Sequence, residues 1–497
     1  MKLGPLAAAA GLPLPPGAPP MSSQGLAGTV VTGFAIDHRK VAPGTVFGAF
    51  QGALVNGEDF IPAAVSAGAI AVVARPQAEV EGAAHIADAV PRRAFAGLAA
   101  QFFRPVPETI VAVTGTNGKT STVEMTRQIW RMCGERAASI GTLGVTTPDE
   151  SVSTGLTTPD IVTFLSNMAG LAREGVTHVA YEASSHGLSQ YRNEGLPVAA
   201  GAFTNLSRDH LDYHADMEDY FAAKMRLFGE VVAEGGAAVV WADDEWSGRV
   251  LKRVRDRGLR LLTVGEHGDD IRLLGYEPTH LGQELEIEIG GENKVIMLPL
   301  IGAYQVANAL TAAGLVLATG GDPAKIVDAL GRLQPVRGRL ERAAITAAGS
   351  PVYVDYAHTP DAIGAAIEAL RPHVEGRLII VFGAGGDRDQ GKRGPMGRVA
   401  AELADVAIVT DDNPRGEDPA AIRAAVLAGA GANAIEIGDR RSAIAAAIAE
   451  AGRDDIVLIA GKGHEQGQIV GAGDAMRVLP FDDVTVAREC AAVEGAN

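Results

Sequence analysis

Residues 111–124 read Val-Ala-Val-Thr-Gly-Thr-Asn-Gly-Lys-Thr-Ser-Thr-Val-Glu, an apolar strand that leads through a turn into a helix. Two glycines let this turn face a phosphate with its backbone N–H groups. Lys119 would reach the β- and γ-phosphates, and the Thr120 hydroxyl would bind Mg²⁺. Val113 stands where the usual loop has its first glycine, so the loop is a shortened variant. The segment predicts nucleoside triphosphate binding by Gly115, Thr116, Asn117, Gly118, Lys119, Thr120 and Ser121.

Three further residues have side chains suited to metal or phosphate chemistry. Glu182 ends the predicted strand His178–Glu182, which runs parallel to the phosphate-loop strand, so its carboxylate can share Mg²⁺ with Thr120. His210 follows another short apolar run and is either a structural histidine or one that approaches the same metal region. Lys224 is predicted to open a helix, and its sequence context alone indicates a solvated lysine.

The last third of the chain repeats one arrangement three times. Predicted buried strands at 377–382, 406–410 and 456–460 each end in a polar loop. In doubly wound sheets, ligands bind beyond the carboxyl ends of the strands, so these loops are expected to converge on one site. Each loop alone could be a solvated turn. Together they would offer arginines, carboxylates and a histidine to a ligand that carries both charge signs.

Length and composition indicate a multidomain enzyme. At ~150 residues per domain, 497 residues suggest roughly three domains. The net charge of −17 argues against a nucleic-acid or anionic membrane partner. Cys133 and Cys490 are the only cysteines, too few for a disulfide framework or a structural zinc site, so we expect a reducing cytoplasm. Prolines interrupt the apolar first 20 residues, and neither a cleaved signal nor a membrane-spanning segment is predicted.

The pattern of strands and helices predicts an α/β fold. Residues 1–104 are expected to form a small α/β domain, and prolines at 105 and 107 suggest a linker. Residues 105–336 contain the phosphate loop and alternating strands and helices, which favour a mostly parallel sheet, with an antiparallel hairpin at 285–300. A hinge is predicted at 333–339, followed by a C-terminal doubly wound domain at 337–497.

Seven ordered motifs make the chain resemble the Mur ligases from about residue 30 to the C-terminus. They are T-G-T-N-G-K-T, E-A-S-S-H-G-L, T-N-L-S-R-D-H-L-D-Y-H, V-D-Y-A-H-T-P-D, G-A-G-G-D-R-D, D-D-N-P-R and G-K-G-H-E. The resemblance implies an N-terminal domain that binds a UDP moiety, a central ATPase and a C-terminal Rossmann-like domain. It also implies peptidoglycan precursor synthesis, in which ATP activates a carboxylate of a UDP-linked peptide and an amino acid attacks the acyl phosphate.

The resemblance assigns roles to individual residues. Thr120 and Glu182 would hold one Mg²⁺, while His210 and a carbamylated Lys224 would serve a second, which reverses the solvated interpretation of that lysine. Lys119, Lys224 and His210 would be the catalytic group. The residues implied for ATP outside the phosphate loop are Asn308, Asp355 and His358. Those implied for the UDP-linked substrate are Ile36, His38, the Gly52–Val55 loop, Thr157, Thr158, Ser184, Gln190 and Arg192. His38 stands where related motifs have serine.

The third domain carries the residues that decide the amino acid. In the family, the D-N-P-R motif marks enzymes that add meso-diaminopimelate, because an arginine can hold its distal carboxylate in bidentate geometry. A lysine-adding enzyme would be expected to lack this arginine. The residues implied for diaminopimelate are Arg388, Asp412, Asn413, Pro414, Arg415, Gly461 and Glu465.

Several alternatives remain at this point. One is the L-lysine-adding enzyme of the same family. The nearest outside it is another ligase of the superfamily, such as the D-Ala-D-Ala-adding enzyme or a folylpolyglutamate synthetase. A nucleotide-binding regulatory protein without turnover would not need Lys224 and the third-domain loops. A nucleic-acid-dependent ATPase conflicts with the acidic net charge. We therefore expect a cytoplasmic monomer that uses Mg²⁺ and ATP, with small-molecule partners and no nucleic acid or membrane insertion.

Overall fold

The computed structural model describes residues 1–14, 25–52, 55–147, 151–152, 157–211, 213–279 and 282–494. Three residues within the predicted motifs and loops lie outside these ranges: Ala53, Leu54 and Asp212. The chain forms two compact units. One comprises residues 1–272 and 310–326, and the other comprises residues 273–309 and 327–497.

The first unit begins with a four-stranded, fully parallel sheet of order β1-β2-β3-β4. Its third strand is buried along its whole length, as expected for a parallel sheet covered on both faces. The small N-terminal α/β part of the predicted fold is therefore confirmed. Its elements are α1 (Leu3–Ala9), β1 (Gly33–Ala35), β2 (Thr45–Gly48), α2 (Ile61–Ser66), β3 (Ala69–Ala74), β4 (Ala84–Ala87) and α3 (Pro91–Phe102).

A larger mixed sheet follows in the same unit. Its order there is β12-β11-β10-β5-β9-β6-β7-β8; neighbours from β12 to β6 are parallel, and β7 and β8 are antiparallel additions. The elements are β5 (Thr109–Thr114), α4 (Lys119–Cys133), β6 (Ala137–Gly141), β7 (Gly144–Thr146), β8 (Ser151–Val152), α5 (Ile161–Arg173), β9 (His178–Glu182), α6 (Ser185–Ser189), β10 (Val198–Phe203), α7 (Met217–Arg226), β11 (Val232–Trp241), α8 (Ser247–Arg257) and β12 (Arg260–Gly265).

Strand register places the chemical segments of this sheet side by side. Val113 of β5 pairs with Glu182 of β9, and Thr114 of β5 pairs with Phe203 of β10. All three strands are parallel, so their carboxyl ends share one edge. The phosphate loop, Glu182 and the segment after β10 consequently meet there.

The second unit contains the predicted hairpin, which turns at Gly290 and Gly291. Its other main feature is a six-stranded sheet of order β16-β17-β21-β18-β19-β20, parallel except for β16. Three of the remaining elements, β13, α9 and α10, contribute residues to both units. The remaining elements are β13 (Ile271–Thr279), β14 (Gly282–Ile289), β15 (Glu292–Leu298), α9 (Ala303–Ala318), α10 (Pro323–Leu330), β16 (Glu341–Ile345), β17 (Pro351–Asp355), α11 (Pro360–Leu370), β18 (Leu378–Phe382), α12 (Arg393–Leu403), β19 (Val406–Val409), α13 (Pro419–Ala430), β20 (Ala434–Glu436), α14 (Arg440–Glu450), β21 (Ile456–Ala460), β22 (Gly467–Val470), β23 (Arg477–Pro480) and α15 (Asp483–Glu494).

The α/β class and its three sheets agree with the sequence prediction, and the boundaries of the predicted strands differ little from those observed. The predicted strand at 237–242 is the exception, because β11 starts earlier, at Val232. Gly235 and Gly236 weaken the strand signal there. None of the described helices has the length and apolar character needed to cross a membrane.

Candidate active site

The phosphate loop joins β5 to α4 and depends on two glycines with positive φ. Gly115 has a φ of 152° and Gly118 has a φ of 84°. A Cβ atom on Gly115 would collide with the Thr204 hydroxyl, so no larger residue fits. Val113 is fully buried and still pairs with Glu182 within the sheet. The loop is short because the strand continues through the position where a longer loop has glycine.

The segment after β10 holds the phosphate loop from one side. The Thr204 hydroxyl donates to Asn117 O at 2.6 Å, and Asn117 N donates to Asn205 Oδ1 at 2.9 Å. Ser207 N donates to the Thr116 hydroxyl at 3.0 Å. The motif that follows β10 is therefore in direct contact with the phosphate loop.

Lys119 and Lys224 converge on this loop. Both ammonium groups donate to Gly115 O, at 2.9 Å from Lys119 Nζ and 2.7 Å from Lys224 Nζ. Lys224 is only 1% exposed, and its Nζ lies 4.4 Å from the centre of the Tyr220 ring. Burial, reinforced by the charge of Lys119, lowers the pKa of Lys224 well below the usual value for lysine. The neutral amine of Lys224 is therefore easily formed.

This placement of Lys224 corrects two sequence expectations. Helix α7 spans Met217–Arg226, so Lys224 lies in its last turn and does not open it. The side chain is buried and not solvated. Lys224 follows Tyr220 by four residues, which places both on one face of the helix, and both are buried. The sequence alone does not reveal that Lys224, a charged residue on the same helix face as Tyr220, is buried.

Thr120 and Glu182 line one small cavity, together with Glu124. Glu182 is 2% exposed, and its carboxylate accepts hydrogen bonds from Thr142 N at 2.7 Å and from the Thr142 hydroxyl at 3.2 Å. The Thr142 hydroxyl also lies 3.0 Å from that of Thr157. The structure thus brings the two predicted ligands of one Mg²⁺ together.

His210 has a different neighbourhood. Its backbone is left-handed, with a φ of 54°, and its side chain is 44% exposed. Its ring centre lies 5.0 Å from that of His186 and 6.1 Å from that of Tyr220. Tyr220 also contacts Lys224 and so lies near both of these predicted ligands. The four predicted metal ligands therefore fall into two pairs, Thr120 with Glu182 and His210 with Lys224. Within the described part of the chain, no three His, Cys, Asp or Glu side chains are close enough to bind one metal ion together.

Four residues predicted to bind the UDP-linked substrate form one hydrogen-bonded group. The hydroxyls of Thr158 and Ser184 lie 2.9 Å apart. Arg192 Nη1 donates to Thr158 O at 2.9 Å, and its Nη2 donates to Gln190 Oε1 at 2.7 Å. Burial lowers the pKa of Arg192, a cost that an anionic ligand would offset.

The predicted N-terminal residues follow β1. Ile36 is half-buried there. His38 stacks on Phe60, with ring centres 4.4 Å apart and planes 4° apart. Asp37 accepts hydrogen bonds from the Arg39 guanidinium, and these bonds lower the pKa of Asp37 to about 2. The His38 ring is therefore held by stacking on Phe60, a contact that a serine side chain at this position could not make.

In the second unit, the residues implied for ATP have distinct environments. Asn308 lies almost fully buried on α9. Asp355 ends β17, and its two oxygens accept hydrogen bonds from Leu340 N at 2.7 Å and Ala357 N at 2.9 Å. Burial raises the pKa of Asp355. His358 is exposed. Asp355 thus shapes the turn that presents His358.

The three polar loops of the second unit meet at the carboxyl edge of its sheet, as predicted. Gly386 N donates to Asn413 O at 2.9 Å, and Arg415 Nη1 donates to Gly386 O at 2.9 Å. Asn413 Nδ2 donates to Glu465 Oε2 at 2.8 Å, which links the second loop to the third. Arg388 is exposed on the first loop. Strand order explains the meeting, because β18 lies between β21 and β19.

The hairpin formed by β22 and β23 holds the second loop from the other side. Arg415 has a left-handed backbone with a φ of 50°. Its N donates to Ile469 O at 3.0 Å, and Gly471 N donates to its O at 2.7 Å. Gln468 Nε2 donates to Asp412 O at 2.6 Å. The backbone of the D-N-P-R segment is therefore set by contacts that its own sequence does not contain.

Comparison with known proteins identifies the family. Residues 113–316 match the Mur ligase middle domain, and residues 338–463 match the Mur ligase glutamate ligase domain. The chain is 62% identical, over 92% of its length and 94% of the relative's, to the UDP-N-acetylmuramoyl-L-alanyl-D-glutamate--2,6-diaminopimelate ligase of Zymomonas mobilis. The chain belongs to the Mur ligase family.

Other Mur ligases give the same picture. The ligase of the same name from Bradyrhizobium diazoefficiens is 52% identical over 91% of this chain and 93% of its own. A solved structure of a UDP-N-acetylmuramoyl-L-alanyl-D-glutamate--2,6-diaminopimelate ligase has a TM-score of 0.72 and 31% identity, and the comparison covers 99% of both chains.

Three residues of this Mur ligase that sequence reasoning missed lie beside the predicted groups. Arg92 lies in the first turn of α3, and burial, together with the positive charge of Arg192, lowers its pKa. Lys462 and Gln468 contact the D-N-P-R segment in the second unit. Lys462 stood in the G-K-G-H-E motif without a role, while Arg92 and Gln468 gave no sequence signal.

Proposed function

We propose that this Mur ligase adds meso-2,6-diaminopimelate to UDP-N-acetylmuramoyl-L-alanyl-D-glutamate in an ATP-dependent step of peptidoglycan precursor synthesis. The observation that carries the proposal is the meeting of the loops that hold Arg415, Asn413 and Glu465. Each end of diaminopimelate carries both a carboxylate and an ammonium, so the end that does not react still offers both groups. An arginine suits the carboxylate in bidentate geometry, and a glutamate suits the ammonium. The names of the curated relatives support the same substrate.

The chemistry requires activation of a carboxylate. A carboxylate acylates amines poorly, so the terminal glutamyl carboxylate takes the γ-phosphoryl group of ATP and ADP leaves. The amine of diaminopimelate then attacks the acyl phosphate, an amide forms, and phosphate leaves. Lys119 and the N–H groups of the phosphate loop hold the phosphates and balance the negative charge of the phosphoryl group. We assign Asn308 and His358 to the nucleotide and Asp355 to the turn beside it.

Mg²⁺ fits the residues of the first unit. The Thr120 hydroxyl and the Glu182 carboxylate are hard oxygen donors that share one cavity, which suits this cation. Bound Mg²⁺ would neutralise phosphate charge. His210 and Lys224 would serve a second ion, provided that Lys224 is carbamylated. The lowered pKa of Lys224 favours the neutral amine, which is the form that attacks CO₂.

The remaining assignments follow from the same reaction. The Thr158, Ser184, Gln190 and Arg192 group and Thr157 would hold the UDP-linked peptide, with Ile36, His38 and the Gly52–Val55 loop on its uridine side. Domain boundaries at 1–104, 105–336 and 337–497 would separate the UDP, ATP and amino acid functions. We propose a cytoplasmic monomer whose partners are these three small molecules, with neither nucleic acid nor membrane among them.

An amino acid comparison tests the proposal. Phosphate release is measured with ATP, Mg²⁺ and the UDP-linked dipeptide, in parallel with meso-diaminopimelate, L-lysine or no amino acid. Release that depends on meso-diaminopimelate is expected. Release with L-lysine alone would establish the lysine-adding alternative, and release with neither would refute a ligase of this kind.

A further inference from the structure

Lys462 is a buried cation within the amino acid site for which the reaction above has no use. Its side chain is fully buried, and its Nζ donates to Asn413 Oδ1 at 2.9 Å and to Glu465 Oε2 at 3.1 Å. It stands between Gly461 and Gly463, whose φ values are 116° and 54°. Glycine adopts such positive φ values readily, and the resulting turn places the Lys462 side chain inside the loop. Lys462 thus contacts two of the groups assigned to diaminopimelate without being exposed itself.

Lys462 fixes the orientation of the Asn413 amide. Asn413 Oδ1 accepts from both Lys462 Nζ and Ile469 N, the latter at 2.9 Å. Asn413 Nδ2 donates to Glu465 Oε2 at 2.8 Å. A rotation that exchanged the amide oxygen and nitrogen would set NH₂ against two donors and oxygen against a carboxylate. The Lys462 ammonium is therefore one of the two donors to Asn413 Oδ1 that prevent this rotation; the other is Ile469 N.

Lys462 also fixes the Glu465 carboxylate. Both hydrogen bonds to this carboxylate, from Lys462 and Asn413, reach Oε2. Its side chain is 31% exposed, and Oε1 has no hydrogen-bond donor among the described residues. One oxygen is held from inside, and the other is free for a ligand. Loss of the ammonium would leave a partly buried carboxylate with a single neutral donor, which is costly.

We propose that Lys462 is a positioning residue for amino acid recognition, which acts by holding Asn413 and Glu465 in their ligand-binding orientations. The proposal rests on the function proposed above. Since Lys462 is fully buried, it acts through these two side chains and does not touch the substrate. It therefore affects binding of the amino acid and leaves binding of ATP and of the UDP-linked dipeptide unchanged.

A lysine-to-methionine replacement tests this role. The Lys462→Met variant should raise the KM for diaminopimelate by at least about tenfold, the loss expected for charged hydrogen bonds. The KM values for ATP and the UDP-linked dipeptide should stay within about twofold of wild type. Lys252→Met, at an exposed lysine of α8, is the matched control and should change none of them. A rise of all three KM values together would show a merely structural role and overturn the proposal.

A double-mutant cycle tests the route through Glu465. Glu465→Gln alone should raise the KM for diaminopimelate, since it alters a binding residue. If Lys462 acts by holding this carboxylate, Lys462→Met should have a much smaller effect in the Glu465→Gln background than in wild type. Effects that multiply would mean independent action and would refute the proposed route.

Thermal melting would reveal whether Lys462→Met fails to fold. In that case a second variant, Lys462→Gln, is used to test the proposal. Lys462→Gln keeps a donor and most of the volume, and we expect a KM for diaminopimelate between those of wild type and a full loss. A folded Lys462→Gln variant with the wild-type KM would overturn the proposal. Should wild type use L-lysine instead, the proposed substrate fails, and the same variants measured with L-lysine still decide the role of Lys462.

Discussion

Lys119 and Lys224 donate to the same carbonyl oxygen of Gly115, at 2.9 and 2.7 Å. Two cations on one oxygen repel each other, and burial of Lys224 adds to the cost of its charge. Phosphate would stabilise Lys119, and carbamylation would turn Lys224 from a cation into an anion. The arrangement therefore favours both events that the proposed chemistry needs.

Carbamylation of Lys224 predicts a dependence on CO₂. An enzyme depleted of CO₂ should lose most of its phosphate release, and bicarbonate should restore it. The Lys224→Met variant should be about 100-fold slower or worse and should not respond to bicarbonate. Carbon-13 NMR with labelled bicarbonate should show a carbamate signal that this variant lacks. Full activity in a preparation shown to lack the carbamate would refute a catalytic role for it.

Glu182 should control the Mg²⁺ requirement. We expect Glu182→Gln to raise the Mg²⁺ concentration for half-maximal phosphate release by about 10- to 100-fold, because an anionic ligand becomes neutral. Glu174→Gln, an equivalent change at an exposed residue after α5, is the control. An unchanged Mg²⁺ titration for Glu182→Gln would exclude it as a ligand.

Arg415 should govern amino acid selectivity. Arg415→Ala removes the cation proposed for the distal carboxylate, so the KM for diaminopimelate should rise by roughly 10- to 150-fold. The KM for ATP should not change. Arg398→Ala, at an exposed arginine of α12, provides the comparison. If Arg415→Ala retains the wild-type KM for diaminopimelate, the assignment of this residue is wrong.

Two glycine-to-alanine changes should have opposite effects. Gly115→Ala would collide with the Thr204 hydroxyl, so it should abolish ATP binding and destabilise the first unit. Gly170 lies inside α5, and a Cβ atom there would meet nothing within 4 Å. Gly170→Ala should therefore stabilise by about 0.5–1 kcal/mol. Nucleotide-binding calorimetry and urea unfolding check both; ATP binding by Gly115→Ala at wild-type affinity would contradict the loop geometry.

The low pKa of His464 predicts that the free energy of unfolding falls in acid. Burial, with the charges of Arg339 and Arg337, lowers the pKa of His464 to about 4. Its ordinary value is 6.5, so the unfolded chain binds the proton more tightly. The contribution of the neutral His464 side chain to the free energy of unfolding is complete above about pH 6.5. Up to about 3 kcal/mol of it is lost as the pH falls towards 4. Urea unfolding of wild type between about pH 7 and 4 should show this loss, and His464→Gln should show a smaller one.

The sequence by itself determined the local chemistry. The order of strand, glycine turn and helix at Gly115 and Lys119 is a local pattern, and so are the three strand-to-loop transitions of the last third. These patterns fixed the α/β class, the triphosphate loop and the convergence of the polar loops. Parallel strands share one edge, so the meeting of their loops follows from strand assignment alone.

Only the tertiary structure decided burial and hydrogen-bond partners. Lys224 and Lys462 are charged residues that a sequence pattern places in solvent, and both are buried by segments distant in the chain. The hairpin that holds Arg415 contributes backbone groups, which have no sequence signature. Charge and spacing are properties of a segment, whereas desolvation and hydrogen bonding depend on what packs against it. For this reason the sequence named the groups of the site, and the fold determined how they are held.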